Sequence, residues 1–515
     1  MFIGGKEGFS FAVYAVISSG ACGVEPTACG RLIPSDDHSP RLTTVSNMKQ
    51  QTPSPDSARK TVAVISLGCP KNTVDSEVML GRLAGADYQL VQDPAEAEVV
   101  VVNTCGFIEA AKKESIDAIL GAAKYKKNGR LKTLVVGGCL AQRYGDELKK
   151  ELPEIDLMFG LNDVEQVAEK VMGHALPSLG LPKPIPEKAP LLPGSMNEAT
   201  YVYDASSPRL LSTPAHYDYV KISEGCDLPC TFCIIPKIRG HYRSRPLEDI
   251  ESEVRGLARR GVKEACLVAQ DSTWYGSDLY GKPRIAELLR RLSSVEGLEW
   301  VRLHYLYPSR VTEDLLEAMD HPKVAPYFDV PLQHASDKIL KSMKRIGGRK
   351  QLEEMLGRIR AKFPRAALRS TFIVGYPGET EDDFNQLLEF LEIARLDYAG
   401  FFPYSKEEGT PAGGMGEQVD GETQQDRLAR AYGAQERIAT DSHGQWVGEK
   451  LRAVVEGREK DGEIRARTKY QAPEVDGVVW VEGAPQAKAG DWLDVEVTHV
   501  MAQDLVARVL PGARR

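Results

Sequence analysis

Three cysteines, Cys226, Cys230 and Cys233, lie in the run Gly225-Cys-Asp-Leu-Pro-Cys-Thr-Phe-Cys-Ile-Ile-Pro236 with C-x3-C-x2-C spacing. Phe232 stands just before the last of them. Three thiolates on one short loop can each hold one iron of a 4Fe–4S cluster. Such clusters ordinarily take four cysteines, so one iron is left without a protein ligand. An open coordination position marks a chemically active metal site rather than a structural one. Structural zinc is the rival reading, but it usually shows paired C-x2-C or C/H sets and four ligands. No second pair sits nearby.

A second set lies upstream. Residues 60–175 alternate between strand-like and helix-like runs. Thr61-Val-Ala-Val-Ile-Ser66, Glu98-Val-Val-Val-Val-Asn103 and Leu131-Lys-Thr-Leu-Val-Val-Gly137 read as strands, with helical periodicity from about Asp75 to Leu83. Continuous β-branched runs separated by helices predict a parallel sheet covered on both faces. Each run ends at a cysteine: Cys69 after Leu67-Gly, Cys105 after Asn103-Thr, and Cys139 after Gly137-Gly. Open α/β sheets build their sites at the carboxyl ends of parallel strands. Cysteines 36 and 34 residues apart are therefore expected to converge. The flanking glycines allow backbone to approach an inorganic cluster closely. A lone strand-end cysteine is most often simply buried. Three at successive strand ends point to a second three-cysteine cluster with one open iron.

The chain has 515 residues, too many for one domain at about 100–200 residues each. Hydrophobic content of 42% and charged content of 27% are ordinary for a globular protein. Nine cysteines are too sparse for a disulfide scaffold and suit metal binding in a reducing cytosol. A net charge of −8 does not suggest a general nucleic-acid binder. Phe9 to Gly20 is apolar but too short to span a membrane. It has the look of a weak signal peptide without the basic start. A polar Pro/Ser/Thr-rich stretch follows, and Met48 reads like a natural start. Residues 1–59 are expected to be a disordered or mis-started extension, with no role for Cys22 or Cys29.

The Cys226 loop resembles the signature of the radical S-adenosylmethionine superfamily. The resemblance implies that S-adenosylmethionine occupies the open iron and is cleaved to a 5′-deoxyadenosyl radical. The cofactor supplies that chemistry and the protein supplies binding and orientation. Two triplets in this order resemble the methylthiotransferase family of that superfamily, over about residues 60 to 510. Gly68-Cys-Pro-Lys-Asn72, Gly225-Cys-Asp-Leu-Pro-Cys230, Cys233-Ile-Ile-Pro-Lys-Ile-Arg-Gly240 and Tyr404-Ser-Lys-Glu-Glu-Gly-Thr-Pro411 are most similar to its ribosomal-protein branch. That branch methylthiolates the β-carbon of an aspartate in small-subunit ribosomal protein S-twelve. The transfer-RNA branch, the alternative, typically has Gln-Met-Asn in the first motif and Cys-Asn-x-x-Cys in the second.

The resemblance implies two 4Fe–4S clusters, with Cys226, Cys230 and Cys233 holding the one that binds S-adenosyl-L-methionine. Cys69, Cys105 and Cys139 would hold the cluster that carries the inserted sulfur. Two S-adenosylmethionine molecules are expected per product. A flavodoxin or ferredoxin is the expected electron donor, and the enzyme is expected to be a cytoplasmic monomer without membrane contact.

Downstream, Ala265–Gln270, Trp300–His304, Pro326–Val330 and Leu368–Val374 read as strands. Helices are expected at Glu248–Arg260, Thr312–Met319, Gln351–Phe363 and Thr380–Arg395, the last with an acidic start that suits the helix dipole. This βα repeat predicts a partial TIM-like barrel with its site at the C-terminal strand ends. Gln270-Asp-Ser, Pro331-Leu-Gln-His334 and Val374-Gly-Tyr-Pro-Gly-Glu379 could line that site, and Cys266 is expected in the core. A linking helix is expected from Gln424 to Thr440. Beyond it, short strands at Glu463–Thr468, Gly477–Val481 and Trp492–Thr498 predict a small antiparallel β-barrel. That barrel resembles the TRAM domain, an RNA-binding module. From Gln445 to Leu510 nine Lys/Arg stand against twelve Asp/Glu, a net of −3. Phosphate backbones are bound by Lys/Arg, so this balance favours a basic protein partner unless Arg465 and Arg467 form a local patch. The domain map is 60–175 for the auxiliary-cluster domain, 176–211 linker, 212–440 radical core with linking helix, and 441–515 tail barrel.

Overall fold

The computed structural model describes residues 59–175, 198–460 and 462–511. The N-terminal extension through residue 58, with Cys22 and Cys29, and residues 176–197 of the expected linker lie outside the described residues.

The first unit is the expected parallel sheet. It contains β1 (Thr61–Ser66), β2 (Gln89–Leu90), β3 (Val99–Thr104), β4 (Thr133–Gly138) and β5 (Leu157–Met158), in the order β2-β1-β3-β4-β5. β3 and β4 are buried at every position, as central strands of a two-faced sheet must be. The two-residue edges β2 and β5 are too short to leave a periodic signal. Helices Pro70–Gly85, Glu109–Ala123 and Cys139–Glu151 return the chain between strands. The first opens on Pro70, whose fixed φ and missing N–H suit the first helical position.

Glu114 is half-buried in the second of these helices, and burial raises its carboxyl to about 7 from an ordinary 4.5. Between those values the folded state holds a proton that the unfolded chain releases. The stability this contributes is complete below pH 4.5 and is lost as pH rises through 7. Glu114→Gln should therefore raise the melting temperature by about 1–3 °C at pH 8. It should change nothing at pH 4, as thermal scans at the two pH values would read.

The second unit is the partial barrel. β6 (Tyr217–Lys221) leads into β7 (Ser223–Glu224), which pairs antiparallel with β8 (Arg243–Ser244) and brackets the Cys226 loop. β6 pairs in parallel with β9 (Glu264–Val268), and β9 with β10 (Trp300–Leu303). β11 (Tyr327–Asp329), β12 (Ala367–Val374) and β13 (Tyr398–Pro403) form the other half. A parallel bridge from Val301 to Val324 joins the halves into a six-stranded arc. β6 is hidden in the sequence because it carries buried charge: Asp218 is 3.2 Å from Arg209, and Lys221 is 2.7 Å from Glu224. Residues 198–211, expected as linker, form an ordered strap. Its Arg209 also pairs with Glu77 of the first unit and Glu253 of the helix Leu247–Arg259. The expected acidic helix start is a capping box, with Thr380 N–H donating to Asp383 at 2.9 Å and Asp383 N–H to the Thr380 hydroxyl at 3.2 Å.

Helix Gly421–His443 leads to β14 (Lys450–Arg458), β15 (Ile464–Thr468), β16 (Val479–Glu482), β17 (Trp492–Met501) and β18 (Asp504–Val509). These close into a barrel in the order β14-β15-β16-β18-β17. The β16–β18 pairing is parallel, so the barrel is mixed rather than wholly antiparallel. Its loop 469–476 plugs the N-terminal end of the larger barrel. Glu474 accepts from the Tyr217 hydroxyl at 2.9 Å, and Asp476 from Tyr327 at 2.6 Å and Arg369 at 3.2 Å. The plug leaves the C-terminal end for chemistry. No helix among the described residues is long and apolar enough to cross a membrane.

Candidate active site

Three loops of the first unit pack on one another. Cys69 caps helix Pro70–Gly85 in an extended conformation, Cys105 follows β3, and Cys139 opens helix Cys139–Glu151. Gly68 has φ +89°, and a Cβ there would stand 2.8 Å from Cys105 Cβ and 3.0 Å from its Sγ. A Cβ on Gly106 would stand 2.8 Å from Leu140 Cα and 3.0 Å from the Cys139 carbonyl carbon. Only glycine permits either approach. Asn72 ties the loops together by donating to the Leu67 and Thr104 carbonyls, both at 2.9 Å. Burial pushes the Cys139 thiol up to about 11, Arg239 opposes the rise and Cys69 adds to it. Burial also raises Cys105, with further increments from Cys139 and Cys69. Cys105 thus senses both other cysteines of its set, and Cys139 senses Cys69. Cys69 and Cys139 sit at the N-termini of helices Pro70–Gly85 and Cys139–Glu151.

The second triplet sits on the loop after β7. Gly225 has φ +79°, and a Cβ there would meet the His241 carbonyl oxygen at 2.0 Å. The Cys226 N–H donates to the Gly240 carbonyl at 3.2 Å. The Thr231 hydroxyl is 2.8 Å from the Tyr376 hydroxyl and donates to the Ser342 carbonyl at 2.9 Å. Phe232 packs with Ile339, Met343, Tyr376 and Tyr404. The residues between the cysteines thus pin the loop to the far side of the barrel mouth. Burial pushes Cys226 up to about 12, and Cys230 adds to the rise. Burial raises Cys233 further, with Cys230 and Cys226 adding and Arg345 opposing. Arg345 Nη1 lies 3.7 Å from Cys230 Sγ. Nothing in the spacing of the sequence pointed to Arg345.

A buried ionic lattice joins the two sites. Asp75, beyond the Cys69 loop, pairs with Lys221 and, at 3.2 Å, with Arg239. Glu224 accepts from Arg239 and Lys221, both at 2.7 Å, and from Gln270 at 2.6 Å. Burial alone would raise the Glu224 carboxyl, but Arg239 and Lys221 together hold it well below the usual range. Arg239 also donates to Asn72. Lys71 reaches across the boundary and donates to the Ala269 carbonyl at 3.2 Å. On the opposite side Glu407 accepts from Arg143 at 2.6 Å and Lys112 at 3.1 Å, and Arg143 donates to the Gly106 carbonyl at 3.0 Å. The Tyr404–Pro411 motif therefore docks the first unit beside Cys105. The first unit packs over the C-terminal end of the barrel, and Cys139 shares one apolar cluster with Ile234 and Ile238, just beyond Cys233.

Iron suits this donor set. Buried thiols, close glycines, two helix N-termini and the facing cations Arg239 and Arg345 complement a thiolate-bound cluster of negative charge. Among the described residues no three His, Cys, Asp or Glu side chains are grouped around a position for a single metal ion. Cys266, the seventh described cysteine, is wholly buried in β9 and packs with Tyr219 and Val268, as expected of a core residue.

Other expected residues fall out differently. Gln270 supports Glu224. His334 is buried, and its Nδ1 accepts from the Ser336 N–H at 3.0 Å, a structural arrangement. Gly375 and Gly378 are in left-handed turns (φ +72° and +79°), and Glu379 pairs with Arg427 of the linking helix at 3.0 Å. Tyr305 and Gln333, after β10 and β11, hold left-handed backbone (φ 61° and 73°) without being glycine. Such strain gathers where a scaffold overrides local preference, commonly at functional sites. Arg465 and Arg467 make no basic patch: Arg467 is buried against Glu264 and Glu456, and Arg465 is 2.8 Å from Glu459.

Comparison with known proteins places three family models on the chain. "Uncharacterized protein family UPF0004" matches residues 61–160, the radical SAM superfamily 220–391 and the TRAM domain 447–510. The chain is 44% identical over 451 residues to "Ribosomal protein uS12 methylthiotransferase RimO" of Desulforamulus reducens, covering 87% of this chain and 99% of that protein. It is 46% identical over 448 residues to the protein of the same name from Anaeromyxobacter sp., covering 86% and 92%.

Proposed function

The chain belongs to the RimO family of ribosomal protein uS12 methylthiotransferases, and from that premise we propose that it methylthiolates the β-carbon of an aspartate in uS12. The observation that supports this reading is that the two units bearing the cysteine triplets are locked together by the buried Asp75–Arg239–Glu224 lattice. When bound, a 4Fe–4S cluster with an open iron supplies reductive cleavage of S-adenosylmethionine, and a second one supplies sulfur chemistry. Cys226, Cys230 and Cys233 would hold the first, and Cys69, Cys105 and Cys139 the second.

The chain's own residues do the rest. Arg345 balances thiolate charge at Cys230. Arg239 does so near Cys139 and Cys69 while locking the two units in register. The plug at the opposite end closes the barrel to water. The acidic tail barrel, with its arginines already paired, supports a basic protein rather than RNA as the partner. A flavodoxin or ferredoxin donor, two S-adenosylmethionine molecules per product, a monomeric state and a cytoplasmic setting complete the proposal. The proposed domains are 60–175, 212–440 and 441–515, with residues 198–211 packed as a strap between the first two.

Reduced, reconstituted protein incubated with uS12 and S-adenosylmethionine should yield a methylthio adduct on one aspartate by mass spectrometry. An adduct on transfer RNA with none on uS12 would overturn the substrate. The second cluster has its own test. Gly68→Ala forces a side chain into Cys105 from a left-handed backbone, so iron content should fall from about eight to about four per chain. Unchanged iron in that variant would count against an auxiliary cluster at these loops.

A further inference from the structure

This inference rests on the reading that the reacting group is an aspartate side chain. We propose that Lys71 recognises the carboxylate of that aspartate and so makes the enzyme selective for an acidic over an amide side chain.

Lys71 comes from the first turn of helix Pro70–Gly85, two residues after Cys69. Its ammonium nonetheless lies in the mouth of the barrel. Nζ is 3.2 Å from the carbonyl oxygen of Ala269, the residue after β9, and 4.1 Å from the ring centroid of Tyr305, two residues after β10. The residue is 7% exposed. It is thus a buried cation on the boundary between the two triplet-bearing units.

Its neighbours in the mouth are differently supplied. Lys221 is held by Asp75 and Glu224, and Arg239 by the same two carboxylates. Among the described residues no carboxylate oxygen lies within 4.0 Å of the Lys71 ammonium. An ammonium has three donors, and Lys71 spends one on Ala269. Burying a cation without an anion is costly. Lys221 and Arg239 are already engaged with Asp75 and Glu224, and the Lys71 ammonium stands outside that lattice of ion pairs. An incoming carboxylate would supply the direct ion pair that Lys71 lacks.

Position makes an aspartate the fitting source. The reacting β-carbon has to lie between the two triplets, and its carboxylate carbon is bonded directly to it. A receptor for that carboxylate must therefore lie beside the reacting C–H, at the mouth and near the Cys69 loop. Lys71 meets both conditions. A lysine serving only to hold the Ala269 carbonyl would have no preference between aspartate and asparagine.

The test measures dissociation constants of the iron-loaded, full-length protein for uS12 and for uS12 carrying asparagine at the reacting position. A charge-assisted hydrogen bond is worth about 1.5–3 kcal/mol, so wild type should favour aspartate by roughly 10- to 100-fold. Lys71→Met should weaken aspartate binding by a similar factor, leave asparagine binding unchanged and bring the ratio close to one. Iron content per chain reports whether the variant is assembled; should Lys71→Met lose iron, Lys71→Gln makes the same comparison. An iron-loaded variant that retains the wild-type ratio overturns the inference alone. Wild-type protein that leaves uS12 unmodified overturns the family reading and this inference with it.

Discussion

Cys230→Ala should reduce 5′-deoxyadenosine formation by reduced, reconstituted protein to the level of a no-enzyme control, while Cys105→Ala should leave that cleavage in place and abolish methylthio transfer. The two outcomes separate because the triplets belong to different units. Cys230 lies beside Arg345 on a loop that Thr231 and Phe232 pin to the barrel wall. Removing its thiolate leaves two ligands where a cluster needs at least three, and the radical source is lost with it. The backbone of Cys105 bonds within its own unit: its N–H donates to the Ser115 hydroxyl at 3.0 Å, and that hydroxyl donates back to its carbonyl at 2.9 Å. Alanine there disturbs no barrel contact. Liquid chromatography of 5′-deoxyadenosine and mass spectrometry of uS12, run on the same reactions, read both effects. Loss of cleavage in Cys105→Ala at full occupancy of the other cluster would contradict the division of labour.

Arg239→Met should destabilise the protein by about 3–5 kcal/mol, because it leaves two buried carboxylates to share Lys221. A fall of about 3–5 °C in the melting temperature is expected from that loss. Arg239 is buried, meets Glu224 at 2.7 Å and Asp75 at 3.2 Å, and also holds Asn72. The effect therefore reaches the Cys69 loop as well as stability. Asp75→Asn combined with Arg239→Met removes one anion along with the cation. The double variant should recover part of the loss, since contacting residues couple non-additively. Calorimetry on the four proteins of that cycle gives the coupling. A single variant melting within about 2 °C of wild type would show that the lattice does not hold the units together.

The six cysteines and the strand–helix alternation were legible because their signals are local. Thiol spacing on one loop and β-branched runs ending in cysteine each fit within a dozen residues. What joins them was not legible. Arg239 meets Asp75 across 164 residues, and Lys71 meets Ala269 across 198. No periodicity records such pairings. β6 escaped notice because Asp218 and Lys221 break its apolar pattern, and both are neutralised only by residues from other elements. The Tyr404–Pro411 motif was visible, but its role in holding Arg143 against Gly106 needed the packed units. Arg467, a candidate surface cation in sequence, turned out to be an interior ion-pair partner of Glu264.

The claim that both triplets serve one carbon is tested most directly by isotope transfer. uS12 made with aspartate deuterated at the β-carbon is incubated with the reduced, reconstituted enzyme and S-adenosylmethionine. Deuterium should appear in 5′-deoxyadenosine in proportion to the methylthiolated aspartate formed. Formation of 5′-deoxyadenosine without deuterium, alongside modified uS12, would contradict the account.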